Sequence, residues 1–332
     1  MRICVFGAGA IGGLFAARLS RSGQQVSLVA RAPTKEAIER EGLRVQDREG
    51  IWTARPARLG SARELGPQDL VILATKAHAL HQSAGDLAHL LHEDTTVLTA
   101  VNGIPWWYFA GQAIQPKPLD SVDPGGVLWN TLEPRRAVGC LVHLGAASPL
   151  PGQIAHAYGN LLVIGEPGGG ESARLGKVAT VLEKAGFKVR IAADIHEEVW
   201  RKLLYNVAIN PVSLVTGAPC DRICADPLLR QLLGDMMREA VGVASRQGVS
   251  LSVDIEEQVA GIARIGAFKT SMLQDHEAGR SVELDPVLGS VVELAQRACL
   301  PVPRLQEIYA LARTRARVAA SEVVDAAKGG AT

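Results

Sequence analysis

The sequence has almost no net charge, few cysteines and no long apolar run, and each of these shortages excludes a class of protein. Lys and Arg number 35 against 34 Asp and Glu, so no basic field is present to attract nucleic acid or an anionic membrane. No apolar run approaches the length that crosses a bilayer, and no secretory pattern precedes the first apolar segment. We therefore expect a cytoplasmic protein without nucleic-acid or membrane partners.

The cysteines exclude a disulfide framework and a zinc site. They are odd in number, scattered and without zinc-ligand spacing, which is typical of reduced thiols in a cytosolic enzyme. The five positions are Cys4, Cys140, Cys220, Cys224 and Cys299.

Four histidines share one face of a predicted helix, at His78, His81, His89 and His92. At 1.5 Å per residue, about 16 Å separates the first pair from the second, so the four cannot form one site. Either pair could bind a metal ion, but no carboxylate completes a ligand set. We therefore expect a solvated helix face and no metal site.

The length of 332 residues and the 47% hydrophobic content predict two domains with separate cores. Strand-like and helix-like segments alternate in the first part, which predicts a Rossmann-type, doubly wound parallel sheet. Beyond residue 193 the pattern becomes almost wholly helical. The expected organisation is a nucleotide-binding domain at 1–193, an all-α substrate domain at 194–320 and a frayed tail at 321–332. The predicted strands lie at 3–6, 25–30, 69–75, 96–101, 161–164 and 188–191, and the helices of the second domain at 195–210, 228–247, 255–266, 286–298 and 304–320.

The run GAGAIG follows the first predicted strand and opens a helix. Its members are Gly7, Ala8, Gly9, Ala10, Ile11 and Gly12. Gly7 allows a tight turn, Gly9 lets the backbone approach a pyrophosphate, and Gly12 lets the helix pack on the strand. The alternative is a glycine-rich turn that binds no ligand.

The second predicted strand ends without a carboxylate, although an NAD site usually has Asp or Glu there to bind the ribose 2′-hydroxyl. The strand instead leads to Arg31, whose guanidinium would pair with a 2′-phosphate. We therefore predict NADPH/NADP⁺ as the cofactor. The alternative is that Arg31 is only a solvated loop residue.

A polar strip lies on the first helix of the second domain. Lys202, Asn206 and Asn210 recur every fourth residue within a strip about 80° wide, while the surrounding residues are apolar almost all round. Buried polar groups without partners are costly, so these three must face one another, a cleft or a ligand. Lys202 is a candidate proton donor, and the alternative is a polar seam that satisfies itself.

Together these motifs resemble the ketopantoate reductase (2-dehydropantoate 2-reductase) family over nearly the whole chain. The matching segments are GAGAIG, Thr75-Lys76, Val101-Asn102-Gly103, Trp200 to Pro211, and Ser271 to Asp275 followed by Glu283. The resemblance implies NADPH-dependent reduction of ketopantoate to pantoate by a monomer or homodimer. The alternatives are a paralogue that reduces another 2-oxo acid and a non-enzymatic NADPH-sensing protein.

The resemblance also implies roles for individual residues. Lys202 would be the general acid, and Asn206 and Asn210 would contact the substrate. Lys76, Asn102 and Glu283 would line the cofactor, with Asn102 also close to the substrate. The carboxylate end of the substrate would be bound by Ser271, Met272, Leu273 and Gln274.

Two segments depart from the family pattern. The connection at 104–138 is long, carries the aromatic run Trp106-Trp107-Tyr108-Phe109, and contains Pro116, Pro118 and Pro124. We expect the aromatics either to wall the substrate site under a stiff proline-rich cover or to plug the core of the first domain. The second departure is Cys220, which stands roughly where the family often carries a further substrate-binding Asn.

Overall fold

The computed structural model describes residues 1–112 and 117–329, with side chains described as far as residue 318. The chain forms two compact units. The first comprises Met1–Pro118 and Asp123–Glu198, and the second comprises Leu119–Val122 and the chain from Val199 onward. The division therefore falls after Glu198, inside a long helix, whereas the sequence analysis expects a boundary near residue 194.

The first unit contains one sheet and seven α-helices among its described residues. Its helices are α1 Ala10–Arg21, α2 Thr34–Glu41, α3 Ala62–Leu65, α4 Ala77–Gln82, α5 Ala84–Ala88, α6 Val127–Leu132 and α7 Ala173–Lys184. Its strands are β1 Ile3–Phe6, β2 Val26–Val29, β3 Leu43–Asp47, β4 Gly50–Ala54, β5 Arg58–Leu59, β6 Leu70–Leu73, β7 Thr96–Thr99, β8 Ala137–Ala147, β9 Gln153–Gly165 and β10 Lys188–Ile191.

The sheet is mostly parallel and has the order β4-β3-β9-β8-β7-β6-β1-β2-β5, with β10 also paired to β9. The predicted Rossmann-type fold is confirmed, but the sheet is not wholly parallel. Strand β9 runs antiparallel to β8, and β3 and β10 run parallel to β9. The reason is the connection between β8 and β9, a short turn, whereas a parallel connection requires a crossover of a dozen or more residues.

The strand order reverses at β1, because the chain proceeds from β1 to β2 on one side and later returns to place β6 on the other. In open α/β sheets, ligands bind at such a switch point, outside the carboxyl ends of the strands. All four side chains of β1 and all four of β6 are buried, so these two strands form a rigid support for the loops that follow them.

The histidine-bearing segment is not one helix, contrary to the sequence analysis. Helix α4 ends at Gln82, and Ser83 has non-helical backbone angles (φ −99°, ψ 7°) before α5 begins. Gly85, a poor helix former, lies in the first turn of α5. The four histidines therefore do not share one helix face, and His81 and His92 instead lie 3.7 Å and 3.1 Å from carboxylate oxygens of Asp123 and Asp69.

The regular secondary structure of the second unit is all helical among its described residues. Several of its helices begin at residues whose side chains accept backbone N–H groups, among them Asp226, Asp254 and Thr270. The elements are α8 Ile195–Thr216, whose first turn belongs to the first unit, α9 Cys220–Ala225, α10 Pro227–Arg246, α11 Ile255–Arg264, α12 Ser271–Glu277, a π-helical turn at Asp285–Gly289, α13 Ser290–Arg297 and α14 Pro303–Gly329.

Two details of the second unit differ from the sequence analysis. The segment predicted as one helix at 286–298 begins with the π-helical turn, which the periodicity of the sequence does not reveal. Helix α14 also continues through the expected frayed tail as far as Gly329. No Gly or Pro interrupts the chain between residues 304 and 328, so local propensity allows the helix to continue.

A short strap, Leu119–Val122, belongs to the second unit although the residues on both sides of it belong to the first. The carboxylate of Glu293 on α13 accepts the backbone N–H groups of Asp120 (3.0 Å) and Ser121 (2.9 Å) and the Ser121 hydroxyl (2.6 Å). Burial alone would raise the pKa of Glu293, but these hydrogen bonds and the charge of Arg297 hold it below its ordinary value. The ionised Glu293 carboxylate therefore holds the strap against α13 through these hydrogen bonds.

We expect Glu293→Gln to lower the free energy of unfolding by about 1–3 kcal/mol at pH 7, because one charged acceptor oxygen becomes an NH₂ group that cannot accept the donors of the strap. Since the folded-state pKa is depressed, this stability is present above the unfolded pKa and is lost as the pH falls through the folded pKa. The difference between wild type and variant should therefore shrink towards acid pH. Urea denaturation followed by circular dichroism measures it.

The matched control is Glu257→Gln, which removes an exposed ion pair with Arg264 and should change stability by no more than about 0.5 kcal/mol. Equal losses in both variants would contradict a special role of Glu293.

Candidate functional site

The glycine loop after β1 has the close contacts that its spacing predicts. Gly7 has φ +108°, a conformation that favours glycine, and its N–H donates to the Val29 carbonyl (3.1 Å). A Cβ on Gly12 would overlap the Gly7 carbonyl oxygen and lie 3.1 Å from the Ala74 Cβ. Glycine at these two positions therefore lets α1 begin directly against β1 and the end of β6.

Gly9 differs from its two neighbours, because a Cβ there would meet no protein atom within 4 Å. The absence of a side chain at this exposed position leaves the backbone open to a ligand. Gly9 is the N-cap of α1, no side chain caps that end, and the first turn of α1 carries no acidic residue. The partial positive charge of the helix N-terminus is thus uncompensated by the helix itself, which favours an anion such as a pyrophosphate.

The end of β2 carries no carboxylate, and Arg31 follows it on the surface. The Arg31 carbonyl accepts the N–H of Lys35, which fixes the turn into α2. Its guanidinium forms no hydrogen bond or ion pair with any residue of the described chain. This cation is therefore available to an anionic ligand.

Lys76 and Asn102 follow the adjacent strands β6 and β7, at the same edge of the sheet as the glycine loop. Both are partly buried. Lys76 is the N-cap of α4, with its carbonyl accepting the N–H groups of Ala79 and Leu80. The parallel register therefore brings three loops that are distant in sequence to one edge of the first unit.

The polar strip lies on α8 in the second unit. Lys202 and Asn206 are partly buried, and Asn210 is 8% exposed. Their neighbours Leu203, Leu204 and Val207 are buried, so the Asn206 and Asn210 side chains are surrounded on the helix by apolar residues. The two Asn side chains form no hydrogen bond with each other or with any other described residue, which disfavours a self-satisfied seam.

The segment from Ser271 to Gln274 forms the first turn of α12. Met272 and Leu273 are buried, at 3% and 1% exposure, so their side chains belong to the hydrophobic interior. The Gln274 side-chain amide donates to the Lys269 carbonyl (2.7 Å). Ser271 is therefore the member of the group whose side chain is exposed.

Glu283 lies two residues before the π-helical turn at Asp285–Gly289, which the sequence pattern does not predict. The hydroxyl of Tyr309 on α14 donates to Asp285 (2.6 Å), and a Cβ on Gly289 would lie 3.0–3.3 Å from the Tyr309 ring and hydroxyl. Burial and the Asp285 hydrogen bond raise the pKa of Tyr309 to about 12, so it remains a donor across the physiological range. This contact fixes the chain just after Glu283.

Cys220 begins α9 and is 1% exposed. Burial raises the pKa of its thiol to about 11, so the group is protonated and apolar in character. Its N–H donates to the Phe268 carbonyl (3.0 Å). Its burial and this backbone hydrogen bond are typical of a packing residue in the second unit.

The aromatic run after Asn102 is almost wholly buried, and its contacts lie in the first unit. The Trp106 indole N–H donates to the Thr99 hydroxyl (3.2 Å), and the rings of Trp107 and Tyr108 lie 5.8 and 5.2 Å from the His196 ring. A Cβ on Gly139 would lie 2.8 Å from Trp107. These contacts favour the core of the first unit over a wall of the substrate site, and Pro116 of the expected cover lies outside the described residues.

The described chain contains no group of three or more His, Cys, Asp or Glu side chains placed to hold a metal ion. No helix within the same residues has the length and apolarity required to cross a membrane.

A glycine loop at the switch point of a mostly parallel sheet, followed by a helical unit, defines a Rossmann-type dinucleotide-binding protein. Two family models match: ketopantoate reductase PanE/ApbA over residues 3–169, and its C-terminal domain over residues 194–316. The chain therefore belongs to the ketopantoate reductase (PanE/ApbA) family, as its motifs predict.

Individual relatives agree with this assignment. The chain is 39% identical to the 2-dehydropantoate 2-reductase of Mesorhizobium japonicum over 94% of its own length and 97% of that protein. The crystal structure of a candidate ketopantoate reductase from Ralstonia solanacearum is 38% identical, covers 96% of this chain and 98% of that one, and has a TM-score of 0.91. The 2-dehydropantoate 2-reductase of Methylococcus capsulatus is 29% identical over 95% and 96%, with a TM-score of 0.80.

The glycine contacts predict different effects of one added methyl group. Gly12→Ala should lower the free energy of unfolding by about 1–3 kcal/mol, because its Cβ would overlap the Gly7 carbonyl. Gly9→Ala should change stability by less than about 0.5 kcal/mol, because its φ of −75° suits alanine and the space is open. Denaturant melts of the two variants without ligand check this, and similar losses in both would contradict it.

Proposed function

We propose that the protein is an NADPH-dependent reductase that converts the 2-keto group of ketopantoate to the hydroxyl group of pantoate. The observation that carries the proposal is the strip of Lys202, Asn206 and Asn210 on α8, in which the two amides have no hydrogen-bond partner among the described residues. Membership of the ketopantoate reductase family and the Mesorhizobium japonicum relative support the same assignment.

The first unit fits a dinucleotide. The open space at Gly9 and the uncompensated N-terminus of α1 suit the pyrophosphate, and Arg31 suits a 2′-phosphate. Lys76, Asn102 and Glu283 complete the proposed cofactor contacts, together with the backbone of Ala8, Ala10 and Ile11. When bound, NADPH supplies the hydride.

Lys202 has the central role in this proposal. Negative charge develops on the keto oxygen during reduction, and an ammonium group at hydrogen-bond distance both stabilises that charge and supplies the proton. Lys202 Nζ would therefore act as the general acid. Transfer of this proton to the former keto oxygen would complete the hydroxyl group of the product.

The other polar residues would bind and orient the substrate. The amides of Asn206 and Asn210 can donate to substrate oxygens, and burial of Asn210 strengthens such a hydrogen bond. The Ser271 hydroxyl can donate to the substrate carboxylate, and the Asn102 amide would lie near the substrate and the nicotinamide. Met272, Leu273 and Gln274 would support this turn through packing and the Lys269 contact.

The direct experiment follows the loss of NADPH absorbance with a panel of 2-oxo acids that includes ketopantoate and bulkier analogues. Preference for ketopantoate in kcat/KM supports the proposal. Preference for a bulkier acid would identify the paralogous reductase, and NADPH binding without turnover of any acid would identify the sensor.

Lys202→Met should lower kcat by about 10²- to 10⁴-fold, the usual loss when a general acid is removed. The dissociation constant of NADPH, measured by quenching of its fluorescence, should change little. Lys188→Met, at an exposed position on β10, is the matched control and should retain full turnover. Near-normal kcat in folded Lys202→Met would remove this residue from the mechanism.

Arg31→Ala should weaken NADPH binding by about 10-fold or more while changing NADH binding little, since only NADPH carries a 2′-phosphate. Titrations with both nucleotides measure this ratio. Arg48→Ala removes another exposed arginine and should leave both dissociation constants unchanged. Equal losses for NADPH and NADH would show that Arg31 does not recognise the phosphate.

A further inference from the structure

The π-helical turn at Asp285–Gly289 differs from a regular α-helix in where its last carbonyl groups find donors. The Ser290 N–H donates to the Asp285 carbonyl, five residues earlier, rather than to the Pro286 carbonyl, four residues earlier. The Pro286 carbonyl instead accepts the Ser290 hydroxyl (2.7 Å), and Ser290 is fully buried. The serine side chain therefore satisfies the carbonyl that the wider turn leaves without its usual donor.

This turn sets the direction in which the chain at Glu283 enters the helix that follows. One extra residue in a helical turn rotates the preceding chain by about 100° relative to the residues after it, because an α-helix has 3.6 residues per turn. Only Leu284, which is 4% exposed, separates Glu283 from the turn. The orientation of Glu283 therefore depends on the turn being held in its π-helical form.

Tyr309 on α14 contacts the turn at both of its ends. Its hydroxyl donates to the Asp285 carboxylate (2.6 Å) at the first residue of the turn. At the last residue, a Cβ on Gly289 would lie 3.0 Å from the Tyr309 hydroxyl oxygen and 3.2–3.3 Å from its ring. The Arg313 guanidinium lies 5.3 Å from the centroid of the same ring. Glycine at 289 thus lets the ring lie against the turn, and the hydroxyl ties the first residue of the turn to α14.

Fold stability alone does not account for this arrangement. A glycine in a helix interior and a π-helical hydrogen bond both cost stability relative to a regular α-helix. Turns of this kind inside helices are frequent at functional sites, where the cost is offset by the placement of a side chain. Here the turn adjoins Glu283, which is proposed to contact the cofactor.

We propose that Tyr309 is a positioning residue for Glu283. Its hydrogen bond to Asp285 holds the π-helical turn in the form that directs the Glu283 carboxylate to bound NADPH. Tyr309 itself does not contact the cofactor. The inference rests on the proposed function only in requiring that Glu283 contacts NADPH.

The test compares Tyr309→Phe, which keeps the ring and removes only the hydroxyl, with Asp285→Asn, whose amide oxygen can still accept that hydroxyl. Tyr309→Phe should weaken NADPH binding about 5-fold, as measured by nucleotide fluorescence, because the turn is no longer held in one conformation. Asp285→Asn should bind NADPH within about 2-fold of wild type, because the hydrogen bond is kept.

A double-mutant cycle shows whether Tyr309 acts through Glu283. Glu283→Ala removes the carboxylate that Tyr309 is proposed to position, and should weaken NADPH binding about 10-fold. In the Glu283→Ala background, Tyr309→Phe should cause no further loss, since no carboxylate remains to be positioned. A purely structural role of Tyr309 would not produce this non-additivity.

Thr314→Val is the matched control. Thr314 lies on the same helix, and its hydroxyl donates to the Ala310 carbonyl (2.9 Å). The substitution removes a hydroxyl hydrogen bond of α14 without touching the π-helical turn. NADPH affinity should therefore equal that of wild type.

Four outcomes would overturn the proposal. Unchanged NADPH affinity in folded Tyr309→Phe would show that the hydrogen bond only stabilises the fold, and unchanged affinity in Glu283→Ala would show that there is no cofactor contact to position. Additive losses in the double variant would show that Tyr309 does not act through Glu283.

The fourth outcome is a loss in Asp285→Asn equal to that in Tyr309→Phe, which would assign the effect to the charge of Asp285 rather than to the hydrogen bond. Failure of the proposed reductase is a separate result. A wild-type protein that binds NADPH but reduces no 2-oxo acid leaves this inference intact.

Discussion

The first unit depends on one close approach, that of the start of α1 to the ends of β1 and β6. Gly7 must turn with positive φ, and Gly12 must lack a Cβ for the helix to begin where it does. This approach aims the N-terminus of α1 along the edge where the loops after β6 and β7 also end. The N-terminus of α1 therefore carries a partial positive charge that favours an anion, because no acidic residue or side-chain cap at this end offsets it.

In the second unit, the constraint is that polar side chains lie on a mostly buried helix, α8. Apolar neighbours of Asn210 fix its position, and within the described part of the chain its amide has no hydrogen-bond partner. The adjoining turns are held by contacts of their own, such as the Tyr309 hydrogen bond to Asp285 just beyond Glu283. A reductase needs this combination, since charge that develops on a keto oxygen is stabilised best by groups already in place.

The long connection after Asn102 gains a structural explanation in two parts. Its aromatic run fills the interior around Gly139 and His196 of the first unit. Further along, the strap at Leu119–Val122 belongs to the second unit and is fastened by Glu293. The segment is long because its aromatic run packs in the core of the first unit, while its strap is hydrogen-bonded to Glu293 in the second unit.

Sequence alone determined the features that depend on neighbours along the chain. Alternation of apolar segments gave the Rossmann-type class, four-residue spacing predicted the strip on α8, and the glycines predicted the loop after β1. Only the tertiary structure decided the reversed direction of β9, the break at Ser83, the π-helical turn, and the burial of Met272 and Leu273. The physical reason is that burial and hydrogen bonding are settled by strand register and packing, which no local pattern contains.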